Sequence, residues 1–274
     1  MNPQLIRTVS GLAIAAFAGI ASAQITPIFT NIVGAPGNEV PGYSNGWKPG
    51  TTTQFDRAYV SPDGTKWILG GFANEAATND EIVVVGSGPT RTGALVIMQE
   101  QATLIGGIAQ PQLIDQQMSI NNAGQAAIAV DLTGGTANDE SIIKYDPGSG
   151  LSIIAQEGAS YGTLFSGVPL STTLDSPSIT ADGTVGFKAY FASTAPITAT
   201  TRYALVLGDS VIAQEGVTIP NGATAAWDLF DVGTFMISDD GTQYIVVGDD
   251  EGATASDGIL VYNGDVALRE GDPI

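Results

Sequence analysis

The chain has 274 residues, 43% of them hydrophobic, with 28 acids against nine cations and neither cysteine nor histidine. So acidic a surface repels nucleic acid and anionic membranes, which depend on clustered Lys and Arg. The missing residue types exclude a disulfide framework, a thiolate nucleophile, a Ser-His-Asp relay and zinc or copper held by imidazole or thiolate; carboxylate, Tyr, Lys and Ser chemistry and oxygen-ligated Ca²⁺ survive.

Residues 1–23 read as a signal peptide: one cation, Arg7, then an apolar run over 9–20 and the small-x-small sequence Ala21-Ser22-Ala23. The run is shorter than the roughly 20 residues a bilayer needs, so cleavage before Gln24 is expected rather than anchoring. Loss of Arg7 takes the net charge from −19 to −20, and no later segment is long and apolar enough to span. The expected address is therefore the cell surface or the extracellular space. Residues 24–56 read as an N-terminal strand, over 28–33, followed by a connector.

From residue 57 a unit of about 58 residues is written four times, over about 57–100, 118–158, 177–216 and 234–271. Each copy holds a turn glycine (Gly64, Gly124, Gly183, Gly241) and a closing glutamate (Glu100, Glu157, Glu215, Glu270). A period this long marks an array of identical supersecondary units. Each unit divides into four short apolar, β-branched runs separated by turn residues. They fall at 57–60, 66–72, 82–85 and 94–98 in the first unit, and at 118–120, 126–131, 141–145 and 151–155 in the second. The third has 178–180, 185–191, 203–207 and 211–213, and the fourth 234–237, 244–247, 259–262 and 266–268. Four antiparallel strands per repeat is the grammar of a β-propeller blade. The expected fold is an all-β, β-propeller-like array of four four-stranded blades, and the reading favours the front part of a larger propeller over a small closed ring.

If the strands alternate, the tight Gly turns share one face, where glycine supplies positive φ, and the long loops share the other. Two groups of residues there are candidates for binding. The loops between second and third strands are acidic, and Asp80, Asp139 and Asp257 are the candidate Ca²⁺ ligands. The links between units carry aromatics, and Tyr43, Trp47 and Trp227 with Asp228 are the candidate ligand-binding residues. The four closing glutamates recur in every copy, so they read as scaffold that accepts backbone N–H bonds at a connector. Non-repeated residues, among them Lys48, Arg57 and Arg202, are better functional candidates.

The segment Asn121-Asn122-Ala123-Gly124-Gln125-Ala126-Ala127-Ile128 resembles the tandem NxxGxxAF repeat of secreted bacterial surface proteins, with Ile128 in place of Phe. Thr180-Ala181-Asp182-Gly183-Thr184-Val185-Gly186-Phe187 keeps the Gly and the Phe, and the stretches 61–68 and 238–245 keep only the Gly. Glu157-Gly158, Glu215-Gly216 and Glu270-Gly271-Asp272-Pro273 are similar to that family's Glu-Gly-Asp-Pro ending, and Ser61-Pro62-Asp63-Gly64 is similar to TolB-type propeller repeats. The resemblance implies an exported, propeller-like protein with no assigned activity.

Two functions are consistent with this reading. The first is a noncatalytic binding or scaffold module, with no cofactor unless Ca²⁺, that presents the loop face to a glycan or a surface protein. The second is a carbohydrate-active hydrolase or lyase with paired carboxylates on that face, for which Asp228 and Asp231 are the nearest candidates.

Overall fold

The computed structural model describes residues 28–50, 55–106, 110–133 and 138–273; the signal-peptide segment lies outside the described residues. The fold is all-β and propeller-like, built of four antiparallel sheets with strands in chain order. The first holds β1 (Phe55–Val60), β2 (Lys66–Phe72), β3 (Glu81–Ser87) and β4 (Leu95–Gln99), and the second β5 (Pro111–Ile120), β6 (Ala126–Leu132), β7 (Glu140–Asp146) and β8 (Gly150–Gln156). The third holds β9 (Leu170–Ile179), β10 (Val185–Phe191), β11 (Tyr203–Leu207) and β12 (Ser210–Gln214). In the fourth, β13 (Trp227–Phe230) and β14 (Met236–Ile237) both pair with β15 (Tyr244–Asp250), which is followed by β16 (Gly258–Tyr262) and β17 (Asp265–Arg269).

Three of the four first strands begin well before their expected starts, in what the sequence presents as links between units. Period-two alternation is lost at a bulge. In β5 the register slips between Ile114 and Met118, and in β9 Ser176 sits at φ +55°. The fourth sheet goes further, breaking its first strand outright between Phe230 and Met236. Residues 28–33 are not a strand. Their backbone folds back on itself, with Ala35 N–H bonded to Ile32 O and Thr30 N–H to Gly37 O, while Phe29 packs edge-on against Trp47 and Trp67.

The turns between first and second strands come in two lengths. Ser61 N–H reaches Lys66 O and Ser238 reaches Gln243, whereas Asn121 reaches Gln125 and Thr180 reaches Thr184, one residue sooner. All four glycines have φ between +70° and +83°, the region that a side chain penalises. Three of the turns are held by an aspartate: Oδ1 of Asp63, Asp182 and Asp240 accepts the N–H of Thr65, Thr184 and Thr242 and a hydroxyl from Ser61, Thr180 and Ser238. These bonds favour the ionised form, so Asp182 and Asp240 fall to about 2. In the second turn Asn121 does the same work, its Oδ1 accepting Ala123 and Gln125 N–H.

Allowing for the one-residue difference, Ile68, Ala127, Gly186 and Ile245 are equivalent. Each begins the face its sheet turns toward the next one, the trailing face. The opposite, leading face begins at Trp67, Ala126, Val185 and Tyr244. Between the first and second sheets Ile68, Val83 and Met98 meet Ile128, Val130 and Ile143. Between the second and third, Ala127, Ala129 and Ala155 receive Phe187 and Phe191. Between the third and fourth, Leu205 and Ala213 receive Trp227, Phe230 and Phe235. The leading face of the first sheet, with Trp67, Ile82 and Val84, is covered in part by Val40, Trp47 and Phe29.

Candidate functional site

The repeat explains the closing glutamates. Glu215 Oε2 accepts the N–H of Arg202 and Tyr203, at 3.1 and 3.0 Å, where β11 begins. Glu100 accepts from Glu81 and Asp80, and Glu157 from Asp139 and Glu140, at the same place in their own sheets. The next residue has left-handed φ (Gln101 +49°, Gly158 +77°, Gly216 +62°) and sends its N–H to the first residue of the following sheet, Pro111, Leu170 or Trp227. The Glu-Gly phrase is thus a clip within one sheet and a hinge into the next. Burial raises all three carboxyls above the usual range.

Asp80, Asp139 and Asp257 are the equivalent residues just before the third strand in three sheets. The carbonyls of these residues accept Ala73, Leu132 and Asp250 N–H. The repeat therefore holds them apart, one to a sheet. The Asp80 carboxylate is buried and accepts from Lys48 Nζ at 2.5 Å, and Asp139 lies beside the Glu157 carboxyl. Among the described residues no three acids are grouped to hold a metal ion.

The aromatic candidates are corrected by their packing. Trp47 (0% exposed) is wedged between Phe29 and Phe55 on the first sheet. Trp227 (1% exposed) belongs to β13 and packs at a tilt against Phe230 in the seam between third and fourth sheets. Both are core residues: an indole that alternates into a strand or loop against apolar neighbours buries its large surface there. Tyr43 is half-buried and bonds through its hydroxyl to Gln99 Oε1 at 2.6 Å; burial, aided by Glu75, raises its phenol. Asp228 is exposed. The four residues belong to opposite ends of the array and form no common site.

Two features were not apparent in the sequence. One is an axial cavity of about 280 Å³ into which all four first strands turn, lined among others by Tyr59, Gln117, Ser119, Ser178, Phe235 and Met236. Its polar groups mostly tie neighbouring sheets together: Gln117 Oε1 accepts Ser176 N–H, Ser178 Oγ accepts Ile237 N–H and Ser176 Oγ accepts Gly233 N–H. Ser119 Oγ is buried there without a hydrogen-bond partner. Spacings of 57 to 59 residues between these partners were the available signal.

The other feature is carboxylate crowding. Glu81 is buried at the first seam, its Oε2 accepting Ile114 N–H at 2.8 Å, and burial with Glu100, Asp56 and Asp80 nearby pushes it up to about 7. Glu140 makes the equivalent bond to Leu174, also at 2.8 Å. On the fourth sheet Asp249 is raised by burial and then by Asp257, Asp231, Asp228 and Glu270.

No family model and no curated protein matches the chain. Among solved structures it is similar to puromycin hydrolase, at 13% identity and TM-score 0.45, covering 84% of this chain and 31% of that one. It is also similar to prolyl oligopeptidase B from Galerina marginata (13%, TM-score 0.43, 77% and 29%). A third likeness is to a putative TolB from Agrobacterium tumefaciens (14%, TM-score 0.33, 80% and 81%). The chain spans less than a third of the first two proteins. Among the described residues no helix is long and apolar enough to cross a membrane.

Proposed function

We propose that the chain is an exported, noncatalytic binding or scaffold module of the NxxGxxAF repeat type. One observation carries this reading: the carboxylates that recur in the repeats are committed to backbone clips, Glu215 accepting two N–H groups and Glu81 and Glu140 one each across seams. A carboxylate so engaged is a structural acceptor, which leaves surface and axial cavity for recognition. The axial cavity, with a buried unpartnered hydroxyl at Ser119, suits a neutral hydroxyl-rich group such as a glycan terminus. Thermal unfolding with a panel of neutral oligosaccharides, and separately with Ca²⁺ and with chelator, tests the reading, since a ligand of the native state raises the midpoint. A sugar-dependent rise that Ser119→Phe abolishes supports it. Absence of any rise across the panel, or conversion of an oligosaccharide, sinks it.

A second reading rests on Asp249. Its carboxyl is raised by burial and by the nearby Asp257, Asp231 and Asp228, and a pair of neighbouring carboxyl groups is what glycoside cleavage requires. Release of reducing ends that Asp249→Asn eliminates would establish that reading in place of the first.

A further inference from the structure

The seams bury the same columns of residues in three sheets and leave them open in the fourth. By strand pairing, Leu268 is equivalent to Met98, Ala155 and Ala213. Those three are 0%, 3% and 1% exposed, whereas Leu268 is 63% exposed. Met236, beside Ile245 on the same face, is 59% exposed, and Tyr262, which also pairs with Ile245, is 46% exposed. Glu270 is exposed too, although its three equivalents are buried. In the other sheets the trailing face is covered by a leading face of the same repeat. That is the shape and chemistry this surface is built to meet.

A leading face with room on it exists in the same molecule. Over the first sheet lies an apolar hollow of about 550 Å³ lined by Phe29, Ala58, Val60, Trp67, Leu69 and others. Val60 pairs with Trp67 on that face and is 68% exposed. In the second seam the trailing face supplies the small residues, Ala127, Ala129 and Ala155, and the leading face the bulky Phe187 and Phe191. At the two ends the sides are exchanged, with Met236, Tyr262 and Leu268 projecting from the trailing face and the hollow lying on the leading one.

Charge selects the pairing. Residues 227–273 carry eleven acids against Arg269 alone. Residues 28–100 carry seven acids and four cations, Lys48, Arg57, Lys66 and Arg91, which is half of all cations after Arg7. Two trailing ends would bring net charges of −10 together, whereas a trailing end on a leading end opposes −10 to −3. We infer that the trailing face of the fourth sheet docks on the leading face of the first sheet in a second copy of this chain, a head-to-tail contact. It continues the seam geometry from one molecule into the next and does not depend on any ligand. A heterologous contact of this kind closes into a ring or extends as a chain, according to its rotation.

Sedimentation velocity on the full mature chain from about 1 to 100 µM, a range centred on ordinary interface affinities, tests it. The expected result is concentration-dependent association that strengthens as salt screens the like net charges. Val60→Asp and Leu268→Asp each remove association, and an equimolar mixture of the two variants restores a one-to-one complex through the single intact contact. Both side chains are exposed in the isolated chain, so folding is checked by circular dichroism and is expected unchanged. Because the chain lacks cysteine, Val60→Cys and Leu268→Cys supply an independent readout: the disulfide forms between the two variants and not within either. A wild-type chain that stays monomeric overturns the inference. So does association that Val60→Asp leaves intact, since that contact joins two trailing faces, or a mixture of the two Asp variants that stays monomeric.

Discussion

The second and third seams use one register for two kinds of chemistry. In the second, Ala127, Ala129 and Ala155 leave space that Phe187 and Phe191 fill, an apolar contact edged by the bond from Leu174 N–H to Glu140. In the third, the position of Ala129 is taken by Lys188, buried to 2% exposure. Its Nζ lies 2.8 Å from Asp175 Oδ2, donates to Phe230 O at 3.1 Å and sits 5.7 Å from the Tyr203 ring. Phe230 is the last residue of β13, so the first strand of the fourth sheet breaks where a carbonyl is needed by the lysine. The repeat thus prescribes register across a seam, while side-chain size and polarity are free to vary where the facing side chains and backbone adjust to satisfy them.

Removing the filler of the apolar seam should have the largest effect. Phe187→Ala is expected to cost about 3–5 kcal/mol, because alanines facing it cannot expand into the cavity; urea unfolding monitored by circular dichroism reads this directly. In the ionic seam Lys188→Ala should cost about as much, for another reason: it strands the buried Asp175 carboxylate. Lys188→Met with Asp175→Leu separates the causes. The double variant should recover most of the loss if charge burial is responsible, since a buried pair often breaks even with apolar replacements. A double variant as unstable as Lys188→Ala would show that the lysine acts by shape.

The clips give the next step in size. Glu215→Ala leaves the part-buried N–H groups of Arg202 and Tyr203, where β11 begins, without an acceptor and should cost about 1–3 kcal/mol. Glu270→Ala removes the equivalent residue from an exposed end and should stay within about 0.5 kcal/mol. Equal losses would mean that the fourth clip is as buried in solution as the third, by a neighbour on the trailing face.

Much of this architecture was legible because its signals are local. Residues 66–72, 185–191 and 203–207 are short apolar runs set off by turn glycines, and β2, β10 and β11 occupy those spans. The inner strands were legible only beside the turn, since bulges at Ser176 and between Ile114 and Met118 reset the alternation. Trp227 read as a connector residue for that reason, and its burial follows from β13 extending into the supposed link. Trp47 misled differently. Its loop has no periodicity, and only tertiary packing on Phe29 and Phe55 decides whether such an indole faces solvent. The recurrence of Glu100, Glu157 and Glu215 was enough to identify scaffold, because a reactive group has no reason to appear once per sheet.

The first seam carries the Glu81 carboxyl where the second carries Glu140, and pH should expose its contribution. Glu81 is raised in the folded chain to about 7 from an ordinary value of 4.5, mainly by burial, with Glu100, Asp56 and Asp80 adding to it. Below pH 4.5 the carboxyl is protonated in both states and contributes nothing to pH dependence. Between 4.5 and 7 the folded chain retains a proton that the unfolded chain has released, so stability falls as pH rises; above about 7 the loss is complete and constant. Glu81→Gln keeps an oxygen for Ile114 N–H and removes the charge. After allowance for solvent screening, it should match wild type near pH 4 and exceed it by about 1 kcal/mol at pH 8. Thermal melts at those two values decide the matter. A gain at both would assign the effect to packing of the amide, and a loss at pH 8 would mean that the ionised carboxylate is a better clip for Ile114 than its burial allows.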